Sequence, residues 1–132
     1  MTPVHRPLTG AMLQLDLAEE MRIVREELAT ASARIARTLV KEGPLRLTLV
    51  GLKPGGALHE HVADGPITVH VLDGEILFDV GGTTHPLRAG TLLALDAGVR
   101  HAARSTTGGI FLLTIAAHAK AAAGASPDRA SP

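Results

Sequence analysis

The chain has no cysteine, tryptophan or tyrosine, and its aromatic rings outside histidine are Phe78 and Phe111 alone. Without cysteine there is no disulfide, thiolate nucleophile, zinc knuckle or iron–sulfur cluster, so any metal must be held by His, Asp or Glu. With two phenylalanines, the stacking platforms that grip single-stranded nucleic acid are missing too. Neither sign of charge is in excess: thirteen Lys and Arg balance thirteen Asp and Glu. The charge therefore points neither to a phosphate backbone nor to an anionic membrane. No apolar run approaches the length of a bilayer span, and the stretch MTPVHRPLTGAMLQLDLAEEM lacks the long apolar core of a signal peptide. These absences predict a soluble cytoplasmic protein with no nucleic-acid or membrane partner.

What is present fits one domain, since 132 residues suffice for a single hydrophobic core. Residues 1–12 are polar, proline-bearing and aperiodic, and the end AKAAAGASPDRASP is low-complexity. Both ends, 1–12 and 119–132, are expected to be flexible, leaving a domain over 13–118. Within it, Leu17, Met21, Val24 and Leu28 recur at helical spacing, and Asp16 with Glu19 resembles a capping pair. This predicts one amphipathic helix over about 16–29. From Ile35 onward, strand-length segments (RLTLVGL, PITVHVL, EILFDV, TLLAL, IFLLTIAA) alternate with turn clusters (KEGP, KPGG, ADGP, DVGGTT, RAGT, DAG). That rhythm predicts an all-β sandwich or barrel, with VGGTTH as a hairpin connection.

Histidine is the residue most suggestive of chemistry. The segment GGALHEHVADGPITVHVLDG carries His59, His61 and His70, and GTLLALDAGVRHAARS carries His101. The second of these resembles the second motif of the cupin family, G-x5-P-x-G-x2-H-x3-N. Gly90, Gly98 and His101 are in register, with Asp96 for the proline and Ser105 for the asparagine. Gly98 is suited to the positive φ of a tight turn leading His101 onto its strand. The first segment resembles the family's first motif, G-x5-H-x-H-x3-E-x6-G, less fully. A gapless count from Gly55 to Gly74 puts His61 at the first histidine, Ala63 at the second and Ile67 at the glutamate. A slip by two would make HEH the histidine pair; the glutamate is missing in either register.

The resemblance spans Leu45 to Ala117 and implies a double-stranded β-helix, or jelly-roll barrel, usually paired as a homodimer. It also implies a small-molecule pocket lined by the motif histidines. Side chains at i and i+2 of an extended strand share a face, so His59 and His61 are expected to point together into the barrel. With His101 they would form a three-histidine site for a divalent ion such as Fe, Zn, Ni, Mn or Cu. Counted from Ile67, His70 falls on the outer face with Thr68 and Leu72. It becomes a fourth ligand only if a bulge at Gly65-Pro66 reverses the parity. Ile67, Val69, Val71, Phe78 and Leu95 are expected to line the pocket.

Other candidates read more plainly. His5, His85 and His118 have no partner at useful spacing, Glu60 points away from its neighbours, Asp64 belongs to a turn, Arg100 is a solvated charge, and Arg104 is one too unless its strand faces the pocket mouth, where it could reach an anionic ligand. No serine stands in a nucleophile elbow and no glycine-rich loop resembles a phosphate cradle. Cupin activities range over dioxygenases, isomerases, decarboxylases and non-catalytic binders, because function resides in the site and not in the fold. Three readings therefore stand: a metal-dependent protein acting on a small molecule, a non-catalytic binding or sensing module, and a dimeric structural protein with a vestigial site.

Overall fold

The structure, a computed structural model, describes residues 12–117. The expectations for the two chain ends, and for His5 and His118, fall outside or largely outside that range. One helix, α1 (Leu17–Thr30), precedes eight strands: β1 (Arg34–Glu42), β2 (Leu45–Leu52), β3 (Ala57–His61), β4 (Ile67–Val80), β5 (Thr83–Arg88), β6 (Leu92–Leu95), β7 (His101–Arg104) and β8 (Gly109–Ala116). None of this is a helix long and apolar enough to cross a membrane.

Asp16 caps α1 by accepting from the Ala18 N–H at 3.0 Å. Glu19 does not complete the capping box. Its carboxylate is taken by Arg22 instead, at 2.8 and 3.0 Å.

All pairings are antiparallel, and β4 organises them. Its first half joins β6 and β8 in one sheet, which β2 and β1 extend; its second half joins β5 and β7 in the other, which β3 extends. The two segments expected as separate strands, PITVHVL and EILFDV, are therefore one strand of 14 residues. Gly74 is a corner in that strand and not the end of it. A register shift between Val71 and Asp73 and a φ of 74° at Gly74 turn the chain from one sheet into the other. A Cβ at Gly74 would overlap the carbonyl oxygen of Gly108.

Strand parity then divides the apolar residues into two cores. Val50, Leu52, Ile67, Val69, Val71, Ile76, Phe78, Leu87, Ala103 and Phe111 fill the space between the sheets. Val24, Leu39, Val40, Leu49 and Ile110 form a second core where α1 covers the outer face of the larger sheet. Arg37 on that face meets Glu20 of α1 at 2.7 Å, with both side chains almost wholly buried.

Candidate functional site

The mouth of the barrel is built by β3, β7 and the turns beside them. Gly98, at φ 78°, turns the chain into β7, and Asp96 steadies the turn by accepting from the Ala97 N–H at 2.8 Å. The Gly98 N–H donates to the Ala63 carbonyl at 3.0 Å, tying this turn to the loop after β3. The tie brings the end of β3 and the start of β7 to one edge, where His61 and His101 stand directly opposite in the strand pairing.

Their rings lie 4.3 Å apart between centroids at an interplanar angle of 65°. Phe78 stacks on His101 at 5.4 Å and 16°. His101 is 4% exposed, whereas His61 is open to solvent. Each ring approaches a carbonyl two residues back through Nδ1: His61 to His59 O at 2.8 Å and His101 to Val99 O at 2.9 Å. A carbonyl only accepts, so Nδ1 carries a proton in both, and the lone pair of the neutral ring lies on Nε2. Burial pushes the His101 pKa below its ordinary value; the Val99 carbonyl opposes this and the neighbouring His61 adds to it. His101 is therefore neutral at pH 7.

Below the pair the barrel is packed shut. Leu58, Val69, Phe78, Ala103 and Phe111 leave a void of only about 10 Å³ beside the two histidines. Above it a cavity of about 370 Å³ opens to solvent, lined by Arg46, His61, Val62, Ala63, Asp64, Ile67, His101, Leu113 and Ile115. This volume is at the lower end of the range for small-molecule pockets.

The structure brings His61 and His101 together, and His59 does not join them. Leu58 pairs with Ala103 and His61 with His101, so β3 carries one extra residue between them, a β-bulge. Leu58 and His61, three apart, both turn inward, and His59 is exposed outside the cavity lining. The expected i, i+2 alternation holds only for a regular strand, and the bulge breaks it. His61 thus takes the inward position, as the gapless motif register has it.

His70 lies half-buried opposite Leu92 and Leu112, with the outer-face parity of Leu72; no bulge occurs at Gly65-Pro66, which precede β4. Of the apolar residues, Ile67 lines the cavity, Val69 and Phe78 underlie it, and Val71 is wholly buried in the barrel core. Leu95 packs against the same core but lines a different, more open cavity of about 360 Å³ with Pro66 and Thr114. His85 is exposed on β5, and Glu60 lies 3.9 Å from Arg100 at the surface. Arg104 is engaged with Asp79, at 3.1 and 3.4 Å, and with Thr84; the Thr84 hydroxyl, which donates to Asp79, and next Arg104 hold the Asp79 carboxyl below its usual range.

Arg46 escaped the sequence reading, although a signal for it was there. Val50 and Leu52 face the barrel and β2 pairs with β8 without irregularity, so period-two alternation places Thr48 and Arg46 on the same inward face. A larger, open groove of about 450 Å³ lies between α1 and the Gly74–Gly108 corner, but its cations are already engaged. There Lys53 Nζ donates to the Ala31 carbonyl at 2.8 Å and Arg25 meets Asp73 at 3.4 Å.

The sequence profile of the Cupin domain family matches residues 48–115, just over half of the chain. The chain belongs to the cupin family. Among curated proteins nothing matches the sequence. Solved structures agree on the fold. A conserved protein of unknown function from Streptococcus pyogenes is 22% identical over 89% of this chain and 96% of its own, with a TM-score of 0.66. A predicted oxalate decarboxylase from Thermotoga maritima is 25% identical over 64% of this chain and 81% of its own, with a TM-score of 0.59. Salicylate 1,2-dioxygenase from Pseudoaminobacter salicylatoxidans is 16% identical over 77% of this chain and 32% of its own, with a TM-score of 0.69.

In this cupin the donor set is short of a resident metal site. Protein sites for transition ions generally supply three or four side-chain ligands. Among the described residues no three His, Cys, Asp or Glu side chains are gathered where they could hold one ion. Two imidazoles with Nε2 free are half of such a set.

Proposed function

We propose that this cupin binds a small molecule in the barrel mouth, with His61 and His101 as its polar floor. One observation carries the reading: two imidazoles, each with Nδ1 directed at a backbone carbonyl, meet in the lining of a cavity whose other walls are mostly apolar side chains. Their Nε2 atoms accept hydrogen bonds from a ligand hydroxyl, amide or acid, and the apolar walls hold its body. The packed interior beneath keeps the ligand at the mouth.

The same tautomers support a second reading, in which His61 and His101 hold a divalent transition ion and the ligand supplies the remaining donors. Bound there, the ion would act as a Lewis acid or redox centre.

Elemental mass spectrometry and native mass spectrometry on tag-free wild type and His61→Ala separate the two. Sub-stoichiometric metal, together with small molecules that perturb the His61 and His101 ring signals in NMR, supports simple binding. Near-stoichiometric Fe, Zn, Ni, Mn or Cu that disappears in His61→Ala supports the metal reading. A protein that takes up neither metal nor any small molecule at these rings overturns both.

A further inference from the structure

We infer that the ligand of the mouth cavity is a monocarboxylate with an apolar body, and that Arg46 is the residue that reads its acid group. This rests on the small-molecule reading of the same cavity.

Arg46 occupies an inward position on β2 that the strand otherwise gives to Thr48, Val50 and Leu52. It lines the cavity with both histidines and lies across the sheet from Ile115. Of the other arginines on the strands and turns around the barrel, Arg37 meets Glu20, Arg100 meets Glu60 and Arg104 meets Asp79, while Arg88, opposite Glu75, makes no ion pair among the described residues. Among the described residues Arg46 makes no ion pair and no side-chain hydrogen bond. An exposed guanidinium that lines a concave surface beside five apolar side chains, with no protein partner among the described residues, is suited to a ligand carboxylate, which it can meet with two parallel N–H···O bonds.

The rest of the lining limits the ligand. Val62, Ala63, Ile67, Leu113 and Ile115 offer no polar side-chain atom, so these walls take an apolar part of the ligand body, and a hydroxyl beside it can donate to His61 and His101. Asp64 is the one carboxylate in the lining. It repels a second negative charge, which disfavours dicarboxylates and phosphate dianions. His101, neutral through burial, accepts from the ligand or packs against it without adding positive charge.

The test uses matched probes: hexanoate and hexanamide, benzoate and benzamide, and the six-carbon diacid adipate. Each is titrated at pH 7.5 into the wild type, Arg46→Gln and Arg46→Lys, following the amide signals of His101 and Leu113 by NMR. The two monoacids are expected to shift those signals. Hexanamide, benzamide and adipate should bind about tenfold or more weakly. Arg46→Gln should lower monoacid affinity to the amide level, and Arg46→Lys should restore part of it. Acids that bind the cavity equally well in Arg46→Gln, or no better than their amides, overturn the inference and leave the small-molecule reading intact. If no probe moves His101 or Leu113 at millimolar concentration, the inference falls, and the small-molecule reading stands or falls on its own mass-spectrometric and NMR test.

Discussion

Removing the charge of Glu20 should expose how α1 is fastened to the barrel. Glu20 Oε1 accepts from Arg37 Nε at 2.7 Å, and the side chains are 9% and 6% exposed. Arg37 Nη1 is buried without a hydrogen-bond partner, so this guanidinium is already short of contacts. Glu20→Gln leaves a buried cation with no countercharge at that distance, a change that costs about 3–5 kcal/mol. Domains of this size are stable by about 5–15 kcal/mol, so the loss would be a large part of the whole. Glu20→Leu combined with Arg37→Met removes both charges at similar volume and should cost far less than the single change, or stabilise by about 1–4 kcal/mol. With no Trp or Tyr to report by fluorescence, urea unfolding is followed by far-UV circular dichroism. At a denaturant slope of about 2 kcal/mol/M, the single variant should lower the midpoint by roughly 2 M. A loss below about 1 kcal/mol in Glu20→Gln, or a double variant less stable than the single one, would refute the reasoning, because either result means that water screens the pair.

Three other outcomes follow from the site and the corner beside it. Phe78→Ala removes the ring stacked on His101 and should destabilise by about 3–5 kcal/mol in the same urea assay, with a change under about 1 kcal/mol counting against a packed interior. His101 should titrate below its ordinary value of 6.5 in histidine-ring NMR. The unfolded chain then binds more protons than the folded one between the lowered value and 6.5, so this contribution to stability is complete above pH 6.5 and is lost as pH falls below it. A ring titrating at or above 6.5 would remove the argument for a neutral His101. Gly74→Ala should cost at least about 2 kcal/mol, from the left-handed backbone and the overlap with Gly108, and wild-type stability in that variant would contradict the corner geometry.

Local patterns in the chain carried much of the architecture. The period of Leu17, Met21, Val24 and Leu28 marks α1, and the turn clusters mark the strand rhythm, because burial of one face imposes a period that needs no tertiary knowledge. The frame of Gly90, Gly98 and His101 marks the cupin fold, since positive φ at Gly98 is a local demand of the turn before β7. Three matters lay beyond those patterns. Whether Gly74 ends a strand or bends one depends on β4 finding partners in both sheets. Whether His59 joins His61 depends on one extra residue opposite β7, which period-two counting on β3 alone does not detect. And Arg46 becomes a candidate only when the mouth of the barrel closes around it, placing an unpaired guanidinium from β2 in the same cavity as histidines from β3 and β7. Local sequence determined the helix, the strand rhythm and the turn before β7; the packing of strands distant in the chain decided where β4 bends, which way β3 turns its histidines and which polar groups share a cavity.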